Sequence, residues 1–79
     1  MVVNATGKMC KHYKGDTYIV MDDNATNADT GERMVVYQKL DGYHRSFTRT
    51  AEKFFGNVIV EGAEVPRFAF QWHNPLISP

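Results

Sequence analysis

The sequence predicts a small all-β domain with one short helical turn, its five or six short strands curled into a partly open, SH3-like barrel. Three observations lead there. Apolar and polar residues alternate with period two through most of the second half of the chain, the signature of half-buried strands. Gly, Asp and Asn interrupt these runs at short intervals, which suits hairpin turns. The period changes only around residues 50–56, a stretch long enough for about one turn of helix. One helical turn cannot cover a sheet, so closure of the sheet on itself is the expected way to bury it and to hide its edges.

The elements follow in order. The first strand falls at residues 17–21, "TYIVM", which is rich in β-branched and aromatic side chains. A separate short strand at residues 9–13 is an alternative beginning. Residues 22–32, "DDNATNADTGE", hold turn formers and read as a long exposed hairpin loop, with Gly31 supplying a positive φ at its end. Residues 33–40, "RMVVYQKL", form the strongest strand. Met34, Val36 and Leu40 take one face and Val35, Tyr37 and Lys39 the other, so both faces are apolar and the strand should be central. Asp41-Gly42 is a hairpin signal. It leads into residues 43–50, where Tyr43, Arg45, Phe47 and Arg49 share a face.

Thr50 can cap a helical turn over residues 51–54, and Gly56 can stop it. Residues 58–60, a Glu61-Gly62 turn and residues 65–72 complete a last hairpin. Phe68, Phe70 and Trp72 point inward there, and Pro66 marks an edge. Residues 73–79 contain two prolines and read as an irregular tail beyond a folded core of residues 9–72.

Size and charge bound the function. A 79-residue chain makes one domain, and such a domain buries roughly 60% of the surface its unfolded chain exposes, which leaves little room for a deep active site. Nine Lys and Arg balance nine Asp and Glu. General polyanion or anionic-membrane binding, which needs a basic excess, is therefore disfavoured. The lone Cys10 cannot form an internal disulfide, and a reducing cytoplasm is the simplest setting. The sequence shows neither the apolar run of a signal peptide nor the roughly 18 apolar residues that a membrane helix needs. The tripeptides Asn4-Ala5-Thr6 and Asn24-Ala25-Thr26 match the glycosylation acceptor pattern, which carries no meaning in that setting.

Catalytic signals are weak. Cys10 and His12, two apart, would face the same way on a strand, as a nucleophile with its base or as two metal ligands. No third group stands at a recognisable spacing, so neither a metal nor a cofactor is expected and a small hydrolase is the least favoured class. Asp22, Asp23, Asp29 and Glu32 crowd one loop but miss the register of a calcium loop.

The Arg and aromatic residues are more informative. Guanidinium forks donate paired hydrogen bonds to phosphates and carboxylates, and aromatic rings stack on bases. The candidate ligand contacts are His12, Tyr13, Tyr37, Arg45, Arg49 and Arg67. Each has a plain structural alternative. Phe47 can be core, Arg49 can pair with Glu52 three residues on, and His12 with Lys14 can be a solvated lip.

Four stretches carry a resemblance. They are "HYKG" at 12–15, "TGERMVVYQKLDG" at 30–42, the spacing of Arg49, Glu52 and Phe54, and "VEGAEVPRF" at 60–68. Together they resemble a family of short bacterial and phage proteins catalogued as domain of unknown function 1653, over residues 11–70. The chain departs from that pattern with Phe47 in place of a Trp, Thr50 in place of a Pro, and a longer polar loop at 22–32. The resemblance implies a compact domain and no established activity. It marks His12, Tyr13, Gly15, Tyr37, Arg49, Phe54 and Arg67 as family-like positions without assigning them roles.

The function expected is a non-enzymatic binding module, monomeric or homodimeric, that holds a nucleotide or a short nucleic acid through Arg and Tyr side chains. The alternative is a protein–protein adaptor, a phage-encoded factor acting on a host protein or a host signalling nucleotide.

Overall fold

The structure, a computed structural model, describes residues 4–70. Its elements run β1 (Met9–His12), β2 (Thr17–Thr26), β3 (Arg33–Lys39), β4 (Ser46–Thr50), α1 (Ala51–Phe54), β5 (Asn57–Val60), β6 (Ala63–Pro66) and β7 (Phe68–Phe70). The class is all-β with one short helical turn. The strands number seven among the described residues rather than five or six, and in place of the expected partly open barrel they form two antiparallel sheets that do not close into a barrel. A five-stranded sheet has the order β4-β3-β2-β1-β7, and β5 pairs with β6 alone. Among the described residues the outer strands β4 and β7 do not pair with each other, so the large sheet keeps two edges there.

β3 lies inside the sheet between β4 and β2, as its two apolar faces require. Val35 and Tyr37 are buried on the inner face, while Met34 and Val36 are half-buried on the other. β2 runs ten residues, five beyond its expected end at 21. Its register against β3 slips between Val20 and Asp22 and again between Asp22 and Ala25. Each slip places an extra β2 residue against β3, and one extra residue inverts the in–out alternation. The first slip turns Asp23 inward, so an acidic residue expected in an exposed loop is buried.

That carboxylate is well satisfied. The Ala5 amide donates to Asp23 Oδ2 at 2.6 Å and the Thr6 hydroxyl to Oδ1 at 3.1 Å. The Asp23 amide donates in turn to the Thr6 hydroxyl, and Arg33 Nε donates to the Asp23 carbonyl at 2.7 Å. The N-terminal segment is thereby fastened to β2, and Ala5 joins the core. The β2–β3 turn itself is short: Asn27 and Gly31 (φ 79°) close it through a Gly31 N–H to Asn27 carbonyl bond of 2.7 Å.

The helical turn forms where Thr50 predicts it, with the Thr50 hydroxyl accepting the Lys53 amide at 3.3 Å. Ala51 and Phe54 are its buried side. Gly56 ends it at close quarters: a Cβ there would come within 2.8 Å of the Glu52 carbonyl oxygen, so only glycine fits. Asp41-Gly42 does turn the chain between β3 and β4, but the connection is longer than a two-residue hairpin. Lys39 N–H reaches the Arg45 carbonyl, and Asp41 Oδ1 accepts the amides of Tyr43 and His44.

The last predicted strand, 65–72, divides at Arg67. Residues before it pair with β5 and residues after it pair with β1. The Arg67 amide donates to the Gly56 carbonyl, and its carbonyl accepts the Tyr13 amide, both at 3.0 Å. Pro66 sits on the hairpin strand that has one neighbour, where its missing N–H costs no ladder bond. Phe68 is buried and Phe70 half-buried, while Trp72 and the tail lie outside the described residues. The core gathers Val20, Val35, Tyr37, Ala51, Phe54 and Phe68 between the inner face of the large sheet and α1, together with the equally buried Cys10 and Ala5. Among the described residues no helix is long and apolar enough to cross a membrane.

Candidate functional site

Register places the polar-aromatic set on one face. Across the sheet, Phe68 stands opposite His12, Cys10 opposite Tyr18, Val20 opposite Tyr37, Tyr37 opposite Phe47 and Val35 opposite Arg49. Residues paired directly across antiparallel strands share a face. His12, Tyr18, Tyr37, Phe47, Arg49 and Phe68 therefore project from the same side of five strands. Toward α1 this face is buried. Toward the other end it opens, with His12, Tyr18 and Phe47 half-exposed.

Tyr18 is the hub of the open end. Its ring meets His12 at 6.4 Å, Tyr37 at 5.3 Å, Phe47 at 6.0 Å and Phe68 at 5.7 Å, each edge to face. Such contacts orient rings and contribute about 0.5–1.5 kcal/mol each beyond burial. Tyr18 and Phe47 were not among the candidate contacts, although their alternation with Val20 and Arg49 carried the signal. Burial and the charge of Asp16 raise the Tyr18 phenol's pKa, outweighing Lys39, so it stays protonated.

The six candidates take different places. Tyr37 is only 4% exposed, so its ring belongs to the core and its hydroxyl accepts Arg49 Nε at 3.2 Å. Arg49 is half-buried and forms no ion pair with Glu52; the pairing expected as a structural alternative is absent. Arg45 is exposed, its guanidinium 6.0 Å from the Phe47 ring centroid. Arg67 stands at the break between β6 and β7 rather than inside a strand, and its Nε donates to the Lys53 carbonyl at 3.1 Å. Tyr13, 39% exposed, lies 4.5 Å from the His12 ring, with Lys14 Nζ 5.8 Å above it. His12 also packs edge-on against Phe68 at 5.0 Å.

The electrostatics are one-sided. Among the described residues the ion pairs are Arg33–Asp23, Lys39–Asp16 and Lys39–Asp41. Arg45, Arg49 and Arg67 form no ion pair among the described residues, although Arg45 and the Asp41 carboxylate feel each other's charge. His12 registers the excess. Desolvation first, and then the charges of Arg49, Lys14 and Arg67, hold its imidazole below the usual histidine pKa, with Asp16 opposing. The Lys14 amide donates to His12 Nδ1 at 3.1 Å, so neutral His12 carries its proton on Nε2.

Two other features frame the site. An open groove of about 530 Å³ runs between residues 11–15 and the wall of Val60, Val65, Pro66 and Ala69. His12 and Tyr13 border it, whereas Arg49 and Tyr37 do not. No sequence pattern marks this groove, because its walls are brought together only when the chain crosses between sheets at Arg67. Cys10 shares the inner face with His12 but is 2% exposed, and burial pushes its thiol pKa up to about 11, the reverse of an activated nucleophile.

Comparison with family models gives a match over residues 8–70 to the family described as "Protein of unknown function (DUF1653)". The chain belongs to this family. The DUF1653 match covers every strand of both sheets and the helical turn, and it includes all six candidate contacts. The Ala5 and Thr6 groups that bind Asp23 lie outside it. No curated protein and no solved structure matches the chain. Within this DUF1653 chain, the family-like positions Tyr37, Arg49 and Phe54 form one contiguous contact set with Phe68, and the family-like Arg67 ties the helical turn to the sheet crossing.

Proposed function

We propose that the chain is a binding module for a nucleotide or a short piece of nucleic acid, held at the open end of the large sheet. One observation carries the reading: Arg49, held by the Tyr37 hydroxyl, projects from the same sheet face as the half-exposed rings of His12, Tyr18 and Phe47, the Arg45 guanidinium lies 6.0 Å from the Phe47 ring centroid, and neither arginine forms an ion pair among the described residues. Guanidinium forks suit phosphates, and stacked bases contribute about 1–3 kcal/mol each on aromatic rings. A net charge of zero suits a small or short ligand better than a long polyanion, whose affinity depends on many neutralised phosphates. The reading is non-catalytic, since the buried Cys10 thiol is poorly suited to attack.

A thermal-shift panel of nucleosides, nucleotides and trinucleotides tests it. A ligand at a hundred times its Kd adds about 2.7 kcal/mol, a rise of several degrees for a domain of this size. Phe47→Ala should abolish that rise while leaving the far-UV spectrum of the unliganded protein unchanged. A panel in which no member raises the melting temperature or moves the Tyr18 and Phe47 ring resonances overturns the proposal.

A further inference from the structure

We infer that Arg49, Arg67 and the Nε2–H of His12 form a cradle for one terminal phosphate group, a phosphomonoester, at the edge of the aromatic surface. The inference rests on the nucleotide-binding reading and narrows it to ligands that end in a monoester.

The two arginines are anchored alike. Each spends its Nε–H on an internal acceptor, the Tyr37 hydroxyl for Arg49 and the Lys53 carbonyl for Arg67. A guanidinium carries five N–H donors, so each keeps its two terminal nitrogens without a hydrogen-bond partner among the described residues. Side chains fixed through Nε have already lost much of their rotamer freedom on folding, so less is lost when an anion arrives. The Phe68 ring links the three: it lies 5.0 Å from the His12 ring and 5.2 Å from the ring of Tyr37, whose hydroxyl holds Arg49, while Arg67 precedes Phe68 in the chain and its carbonyl accepts the amide of Tyr13, next to His12, at 3.0 Å. The charges of both arginines are felt at the imidazole in keeping with this placement.

His12 completes the set. Its Nδ1 is occupied by the Lys14 amide, its ring is held by Tyr13, Tyr18 and Phe68, and its Nε2–H has no acceptor among the described residues. The groups facing it are Arg49, Arg67 and Lys14, all positive, and Asp16, negative. Two forks and one imidazole N–H make three donor arms, and a phosphomonoester presents three non-bridging oxygens. A diester presents two and carries half the charge, so one arm stays unsatisfied. An anion seated here also offsets the field of the arginines and of Lys14, so the affinity of His12 for a proton must rise when it binds.

The test follows the His12 imidazole by NMR across pH 5–8, in chloride and in sulfate at equal ionic strength, sulfate being a dianion throughout that range. The His12 midpoint should move up in sulfate. It should not move in Arg49→Gln/Arg67→Gln, and it should move normally in Lys8→Gln, which removes an exposed cation outside the site. Arg67→Gln alone, which leaves the Tyr37 bond intact, guards against a folding defect and should show a reduced shift. Adenosine 5′-monophosphate should bind about tenfold more tightly than the 3′,5′-cyclic diester, the equivalent of one charge-assisted hydrogen bond. An unmoved His12 midpoint in sulfate, or equal affinity for monoester and diester, overturns the cradle. If nucleotides still raise the melting temperature in that case, the aromatic binding surface stands without it. If sulfate moves His12 but adenosine 5′-monophosphate binds no better than inorganic phosphate, the cradle stands and the nucleotide reading falls.

Discussion

The phenol of Tyr37 accepts the Nε–H of Arg49 across 3.2 Å, joining a core residue of β3 to a cation of β4 two positions away in register. The bond holds a charged side chain in place with a ring that cannot itself reach solvent. Tyr37→Phe keeps the ring and removes the acceptor. Denaturant unfolding should show a loss of about 0.5–1.5 kcal/mol, the ordinary worth of one hydrogen bond. Isothermal titration with the best nucleotide should show affinity falling several-fold, because Arg49 loses its anchor. Unchanged affinity would mean that the anchor has no part in binding.

Phe54 and Phe68 stack at 4.1 Å with planes 16° apart, and both are buried. Phe54→Ala should cost about 3–5 kcal/mol. A domain this small has only about 3–5 kcal/mol to lose. Urea titration should find the variant largely unfolded at 25 °C, and retention of a cooperative transition near the parent midpoint would show that α1 is dispensable.

Asp23 links the N-terminal segment to β2 through three bonds with Ala5 and Thr6. Asp23→Ala leaves the Ala5 amide without its acceptor, a loss of about 1–3 kcal/mol. Hydrogen exchange reads the effect locally: protection should vanish at Ala5 while persisting at Val35 and Tyr37.

His12 gives stability a pH dependence of known sign. Its folded pKa lies below the ordinary value of 6.5, so the unfolded chain takes up the proton first. The contribution is complete above 6.5 and is lost as pH falls below that value toward the folded pKa. Urea midpoints at pH 7.5 and pH 5 should differ in that direction, and His12→Gln should shrink the difference.

The Cys10 thiol, pushed by burial to about 11, should resist iodoacetamide at pH 8 in the native protein and react at the rate of unfolding in urea. Fast labelling without denaturant would place the thiol at the surface.

Much of the fold was legible because local rules sufficed. β3 carries apolar residues on both faces and lies inside the sheet, and Thr50 and Gly56 bound α1 with their own hydroxyl and lack of Cβ. The failures share one cause, partners distant in sequence. Asp22, Asp23 and Asn24 read as turn formers, yet a strand runs through them because Ala5 and Thr6 satisfy the Asp23 carboxylate. The alternation of residues 65–70 is unbroken, so nothing local announces that the chain changes sheets at Arg67. That change depends on Gly56 and Tyr13. In the site, alternation brought Phe47 and Arg49 to one face. It could not say that Tyr37 would be buried beneath Arg49, nor that Tyr18 would become the centre of the ring cluster.

The two irregularities in β2 have an engineering consequence. Because each slip is defined against a particular β3 partner, the hairpin has one alignment and cannot slide by a residue without misplacing Asp23. Its tip at residues 28–30 is exposed, and the side-chain hydrogen bonds there run only to the neighbouring Asn27 and Glu32. A foreign peptide or a fluorophore grafted there should ride on a rigid stem at a distance from the aromatic face, which makes this turn a natural handle for labelling or immobilising the protein.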